Sequence, residues 1–279
     1  MANTGELIRR EDHGAVARLV MTSGANFNAL SNEMLAALAG ELERIAADDT
    51  VRAVILAAEG KAFSAGHDLR QMQAARADAD GGEAAYQALF GDCARVMQAI
   101  GALPQPVIAE VQGIATAAGC QLVASCDMAV AAEGVRFGVN GINIGLFCAT
   151  PMVALTRAIP PRAAFEMLVT GEFIDAHRAR ELGLVNRVVP PERLAEETMA
   201  LAQLVATKLP AAVRLGKRAF RDQLGLGLAD AYQQTGAVMC ENLMLPDTDE
   251  GLNAFLQKRQ PAWAVQPMAA SAGKVSSSQ

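Results

Sequence analysis

The chain is short of the features that mark several large functional classes. No apolar run approaches the roughly 18 residues that a membrane-spanning helix needs, and the first residues, MANTGELIRREDHG, lack the apolar centre of a secretory signal. Basic residues are in deficit: 24 Lys and Arg against 30 Asp and Glu give a net charge of −6. That balance argues against a surface built to coat nucleic acid. Only five cysteines occur, at 93, 120, 126, 148 and 240, with no CxxC pair. An odd, scattered set reads as reduced thiols and excludes a disulfide framework or a zinc knuckle. Of the three histidines, His13 and His177 have no carboxylate or cysteine at ligand spacing, so no metal site is expected. These absences together lead us to expect a soluble, cytoplasmic protein with no membrane or nucleic-acid partner.

What is present is enough apolar material, 52% of 279 residues, to bury a large core without covalent staples. Short β-like runs alternate with helical patterns through the first half. Ala15–Met21 reads as a strand, Ser31 as the N-cap of a helix over 33–47, and Val51–Ala57 as a buried strand. PVIAEVQG (106–113) and MAVAA (128–132) are further strands, with a helical stretch at 117–124 between them. Such alternation predicts an α/β fold with a largely parallel sheet. Beyond residue 150 helices dominate: AAFEMLVT ended by Gly171, 175–182 ended by Gly183, then 192–207, 211–223, 228–244 and 248–258. Residues 74–83 (AARADADGGE) read as a mobile patch. We expect an α/β core over 6–200, a helical region over 201–262 and a flexible tail over 263–279. No internal repeat is evident.

Two stretches carry the chemistry. GKAFSAGHDL (60–69) follows a buried strand and opens a helix, so its backbone N–H groups are free to face an anion or a developing oxyanion. Taken alone it reads first as an ordinary strand-to-helix turn. ATAAGCQL (115–122) repeats the arrangement, with Ala117, Ala118 and Gly119 at the helix start, where small residues admit a second backbone or a ligand. Two such helix starts at the carboxyl edge of a parallel sheet form the pattern at which α/β folds bind ligands.

Five separated motifs then occur in a distinctive order: Asn28-Ala29-Leu30, AFSAGHDL (62–69), PVIAEVQGIATAAGCQLVASCDMAVA (106–131), RFGVNGINIGL (136–146) and TGEFIDAHRARELGLVNRVVP (170–190). Over residues 6–262 the chain resembles the enoyl-CoA hydratase/isomerase, or crotonase, family. The run FGVNGINIGLFC (137–148) and the ending FLQKRQPAW (255–263) resemble one branch of it. The resemblance implies a spiral of ββα units forming two sheets, followed by a helical trimerisation region, and a homo-oligomer (a trimer or a dimer of trimers). It implies that a coenzyme A thioester is the ligand or substrate, with no covalently bound cofactor.

By motif position, the thioester oxygen would lie between the backbone N–H groups of His67 and Ala118. Ala65, Gly66, Asp68, Leu69, Gly119 and Asn140 would border the bound molecule, with Asp68 also placed to cap its helix. The His67 imidazole would either orient its own backbone or touch the acyl group. Phe255 and Lys258 would meet the CoA nucleotide, in the same or a neighbouring subunit. Family hydratases use two glutamates as a general acid/base pair. Their positions here are Gln121 and Gly141. An amide does not exchange protons near neutral pH, and glycine offers no group. Glu110 and Asp127 could substitute but occupy places that read as structural, and Cys148 is placed to be either a pocket side chain or a structural thiol. Three functions follow from the resemblance: an enoyl-CoA hydratase-type enzyme deprived of its usual acids, a decarboxylase of malonyl-type CoA thioesters, and an acyl-CoA-binding scaffold without catalysis. Replacing Gln121 and Gly141 by glutamate is expected to restore hydration.

Overall fold

The computed structural model describes residues 6–264. It opens with a hairpin of β1 (Ile8–His13) and β2 (Val16–Met21), followed by α1 (Asn32–Ala46). β1, with the sequence IRREDH, lies at one edge of a sheet and is sewn down by Arg9–Glu59 and Arg10–Asp48 ion pairs. Its charges protect that edge, and they also hide the strand from hydrophobic patterning. Ser31 caps α1 as expected, its side chain accepting from the Met34 N–H at 3.2 Å.

Three consecutive units then repeat one plan. β3 (Ala53–Ala58) and β4 (Ala62–Ser64) lead into α2 (Leu69–Ala75) and α3 (Glu83–Ala102). β5 (Val107–Val111) and β6 (Ile114–Thr116) lead into α4 (Ala118–Ser125). β7 (Met128–Ala132) and β8 (Arg136–Gly138) lead through a 3₁₀ turn into α5 (Ala149–Ala158). The first strand of each unit joins a six-stranded sheet and the second a four-stranded one, so the chain spirals between two sheets. α6 (Pro161–Thr170), β9 (Ile174–Asp175), α7 (Ala176–Leu182) and β10 (Arg187–Val189) complete them. The large sheet has the order β1-β2-β3-β5-β7-β10, parallel from β2 onward; the small one is β4-β6-β8-β9, with only β9 antiparallel.

α8 (Leu194–Ala206) buries Leu194, Thr198, Leu201, Ala202 and Ala206 in the main core, so the whole of this helix belongs to it. The boundary expected near residue 201 therefore falls inside α8, and we propose that the separate helical region begins at α9 (Pro210–Gln223). α9 is held by Lys217, whose ammonium donates to the carbonyls of Ile100 (3.0 Å) and Gln105 (2.9 Å) and pairs with Asp127 at 2.6 Å. α10 (Leu228–Leu243) and α11 (Pro246–Leu256) pack outward from it and bury only Ala254. The segment read as mobile is a built corner: Asp80 accepts from the N–H groups of Gly82 and Ala84, and Tyr86 bonds the Met72 carbonyl at 2.9 Å. The expected tail falls, from residue 265 on, outside the described residues.

Candidate active site

The small sheet brings the two helix starts together. β4 and β6 are parallel neighbours, so the turn after Ser64 and the start of α4 meet at the same edge. A Cβ on Gly66 would lie 3.2 Å from the Ala118 nitrogen and 2.9 Å from the Ala117 Cβ. Only glycine permits this approach, and the φ of +88° at Gly66 requires it as well. Across the gap, Ala117 adopts φ 51°, ψ −122°, a region in which an L-residue is strained. Its own N–H is held by the Gly138 carbonyl at 2.9 Å and its carbonyl by the Gln121 N–H at 3.1 Å, which fixes the peptide presenting the Ala118 N–H.

Ala118 is 1% exposed. Neither its N–H nor that of His67 donates a hydrogen bond among the described residues. Two backbone donors thus stand open at neighbouring turns. They are accompanied by the first orphan N–H groups of an eight-residue helix.

The Asn28-Ala29-Leu30 motif acts as the brace for this cleft. Asn28 is fully buried and donates through Nδ2 to the carbonyls of Glu59 (2.8 Å) and Ala62 (2.9 Å), while its own carbonyl accepts from Ser64 Oγ at 2.8 Å. The Leu30 N–H bonds the Gly66 carbonyl at 2.8 Å, and the Leu30 carbonyl takes His67 Nδ1 at 3.3 Å. That contact places the imidazole proton on Nδ1 and leaves Nε2 an unpartnered acceptor. Burial pushes the His67 pKa below its usual value, so the ring is neutral. It stacks edge-on against Phe90 with centroids 5.5 Å apart.

The remaining residues divide by what they touch. Asp68 caps α2, accepting from the Arg70 N–H at 2.8 Å and from Asn26 Nδ2 at 3.2 Å. Gly119 serves packing, because a side chain there would run into the Ser64 carbonyl. Ala65 and Leu69 are exposed on the rim. Asn140 accepts from Thr116 Oγ1 at 2.6 Å and so ties the loop after β8 to the end of β6. Glu110 pairs through Oε1 with Arg18 at 2.6 Å, its Oε2 buried and without a partner among the described residues. Asp127 is consumed by Lys217 and Arg221 and by the Val107 N–H. Both are structural.

Phe255 and Lys258 do not join the cleft. Phe255 is 81% exposed, and no hydrogen bond or ion pair among the described residues links either one to Gly66 or Ala118. The chain beyond α11 turns to the opposite end of the sheet, where Arg52, just ahead of β3, donates to the Trp263 carbonyl.

Gln121 and Gly141, the positions at which the resemblance implies hydratase glutamates, have different surroundings. Gln121 is 5% exposed and its Oε1 has no partner. Gly141 opens the loop between β8 and α5, which folds back so that the Leu146 N–H bonds the Gly141 carbonyl at 3.0 Å. A Cβ at 141 would overlap the Leu146 carbonyl and lie 2.9 Å from Cys148 Sγ. Cys148 is buried and burial raises its thiol pKa, partly offset by a hydrogen bond with the Gly141 backbone. Neighbouring Cys120 is pushed up to about 12. Both thiols are protonated and unreactive at neutral pH.

Residues 11–266 match the enoyl-CoA hydratase/isomerase family, and the chain belongs to that family. It is 44% identical over 263 residues to the mitochondrial enoyl-CoA hydratase domain-containing protein 3 of Xenopus laevis, covering 94% of this chain and 87% of that one. The crystal structure of human enoyl Coenzyme A hydratase domain-containing protein 3 superposes with a TM-score of 0.88 at 43% identity, covering 92% of this chain and 100% of that one. An enoyl-CoA hydratase of Mycobacterium smegmatis gives the same TM-score at 51% identity, covering 92% and 98%. The fold is thus the crotonase fold. One expectation is corrected: five vertebrate relatives, 41–44% identical, are named mitochondrial, against the cytoplasmic placement read from the sequence. Scattered, reduced thiols distinguish an oxidising compartment from a reducing one but not one reducing compartment from another.

Proposed function

We propose that this protein holds a coenzyme A thioester with its carbonyl oxygen between the N–H groups of His67 and Ala118, and stabilises the enolate of that thioester without a glutamate pair. The observation that carries this reading is the pair of open N–H donors brought together by the Gly66–Ala118 approach. As the enolate forms, negative charge gathers on the oxygen and both bonds strengthen, each worth about 3 kcal/mol in such holes. Hydration also needs a group to activate water and another to deliver the proton. The Gln121 amide supplies neither, and Gly141 supplies nothing, so hydration by the usual pair is absent.

The missing base gives weight to a second reading, decarboxylation of a malonyl-type thioester. There the bond to the departing carboxylate breaks, its electrons enter the enolate and carbon dioxide leaves, with no proton abstracted. A scaffold that only binds the thioester keeps the same hole. The exposed apolar residues Leu228, Tyr232, Met239, Leu243, Met244 and Phe255 along α10 and α11 support a homo-oligomer, a trimer or a dimer of trimers, in which Phe255 and Lys258 would reach the ligand of a neighbouring copy.

Acetoacetyl-CoA tests the hole directly, since its enolate has its own ultraviolet absorbance. Addition of the protein should raise that band saturably. Binding without the band, or no binding, would overturn the reading.

A further inference from the structure

The imidazole of His67 is tied at one nitrogen and free at the other. Nδ1 carries the proton and meets the Leu30 carbonyl at 3.3 Å. Nε2 keeps its lone pair, shut away from solvent and without a partner among the described residues. The Phe90 ring stands edge-on at 5.5 Å between centroids and offers no N–H or O–H to it. This ring belongs to the residue whose backbone N–H faces the proposed oxyanion. A thioester held there has its α carbon, one bond from the carbonyl, beside the same residue.

Taking a proton from that carbon needs a free base, and the neighbouring candidates are engaged. Asp68 accepts from the Arg70 and Gln71 N–H groups through Oδ1 and from Asn26 through Oδ2. Glu110 and Asp127 stand on or beside strands of the large sheet, not at the small-sheet edge, and are paired with cations. Burial raises the pKa of Cys120 and of Cys148, so both stay thiols. The Gln121 amide does not exchange protons near neutral pH. At this edge His67 Nε2 alone among these groups holds an unused lone pair of basic strength. Burial disfavours the charged ring, so a proton taken there is given back and not kept.

Resting on the thioester reading above, we infer that this protein exchanges the α-protons of saturated acyl-CoA thioesters with solvent, with His67 Nε2 as the base. The C–H bond on the α carbon breaks and the proton goes to Nε2. The electrons of that bond enter the enolate, whose oxygen lies at the His67 and Ala118 N–H groups. Solvent replaces the proton on Nε2, and the imidazolium returns it to the same carbon. Nothing is oxidised or reduced, and no further reactant is consumed.

The experiment is mass spectrometry of butyryl-CoA at saturating concentration, incubated with the full-length protein in deuterium oxide at neutral pD. The wild type should place deuterium on the α carbon well above the protein-free rate. His67→Gln, which has no basic nitrogen, should slow this by at least about 100-fold, the lower end of what a general base contributes. Working at saturation keeps any loss of affinity out of that comparison. In His67→Ala, added imidazole should restore part of the exchange, which a packing defect would not allow. The wild-type measurement stands without the variants. Wild-type exchange no faster than the blank, with acetoacetyl-CoA still giving its enolate band, would overturn the activity and leave the thioester site standing. Exchange as fast in His67→Gln as in the parent would overturn the assignment of the base. Absence of both exchange and the enolate band would overturn both readings.

Discussion

Gly141 lies so close to Cys148 that a side chain at 141, the position at which the family resemblance implies a hydratase acid, would not fit. A Cβ at 141 would approach Cys148 Sγ to 2.9 Å and overlap the Leu146 carbonyl on its other side. Changing Gly141 to Glu therefore means rebuilding the loop between β8 and α5, not adding a group to a waiting space. Overpacking of this kind costs about 1–3 kcal/mol. Gly141→Glu should lower the urea midpoint accordingly, and the double variant Gln121→Glu/Gly141→Glu should gain no hydratase activity. The sequence alone led to the opposite expectation, because the letter G does not show what lies next to it. A stable, active double variant in a crotonyl-CoA assay would show that the loop yields.

Ala118 is the first residue of α4, a position where proline is tolerated because its N–H is an orphan in any case. Ala118→Pro also restricts Ala117, already strained at φ 51°, ψ −122°, so the melting temperature should fall by a few degrees while the far-ultraviolet dichroism shows the fold retained. It should weaken the bound acetoacetyl-CoA enolate signal by about 100-fold, as expected for loss of one such donor. An unchanged signal in a folded variant would remove Ala118 from the hole.

His67 links stability to pH. Its folded pKa lies below the usual 6.5 because burial disfavours the charged ring. Above the unfolded pKa both states are neutral and the group contributes no pH dependence. As pH falls through about 6.5 the unfolded chain gains the proton first, so stability declines until the folded pKa is passed. Urea midpoints measured from pH 8 to pH 5 should fall in that window, and His67→Gln should flatten this part of the profile. An equal slope in the variant would assign the dependence to other groups.

Lys217 is 7% exposed on its side chain and ties α9 to the core through Asp127 and two carbonyls. Burial is the main influence on the ammonium, lowering its pKa, with Asp127 opposing. Lys217→Met should leave three acceptors short of a donor and cost about 3 kcal/mol. Arg221, still paired with Asp127 at 2.8 Å, limits the damage. Proteolysis between α8 and α9 should accelerate in the variant; resistance equal to the parent's would mean that α9 is held by other contacts.

Much of the fold was legible where apolar periodicity and caps agree. The expected strand over 15–21 is Val16–Met21, the helix over 33–47 is Asn32–Ala46, and Gly171 and Gly183 close α6 and α7 in left-handed conformations. The four late helices fall within a few residues of their expected spans. The pattern did not show β1, whose residues are mostly charged, or the strands of the small sheet, which have only two or three residues each. Without those strands the threefold ββα plan shows no repeat in the letters. α3 also escaped notice, starting as it does among the glycines and aspartates of the corner before it. The cleft was legible as two motifs far apart in sequence. The strain at Ala117, the bracing by Asn28 and the crowding at Gly141 come from tertiary contacts that no local pattern carries.

The most direct measurement is mass spectrometry of crotonyl-CoA and methylmalonyl-CoA after incubation with the purified protein, with acetoacetyl-CoA binding recorded on the same sample. A thioester site without the glutamate pair predicts a saturable enolate band and crotonyl-CoA recovered without added water. Loss of carbon dioxide from methylmalonyl-CoA would identify turnover through the same hole. Enzymatic addition of water to crotonyl-CoA would contradict the central claim, because it would require an acid/base group that neither Gln121 nor Gly141 provides.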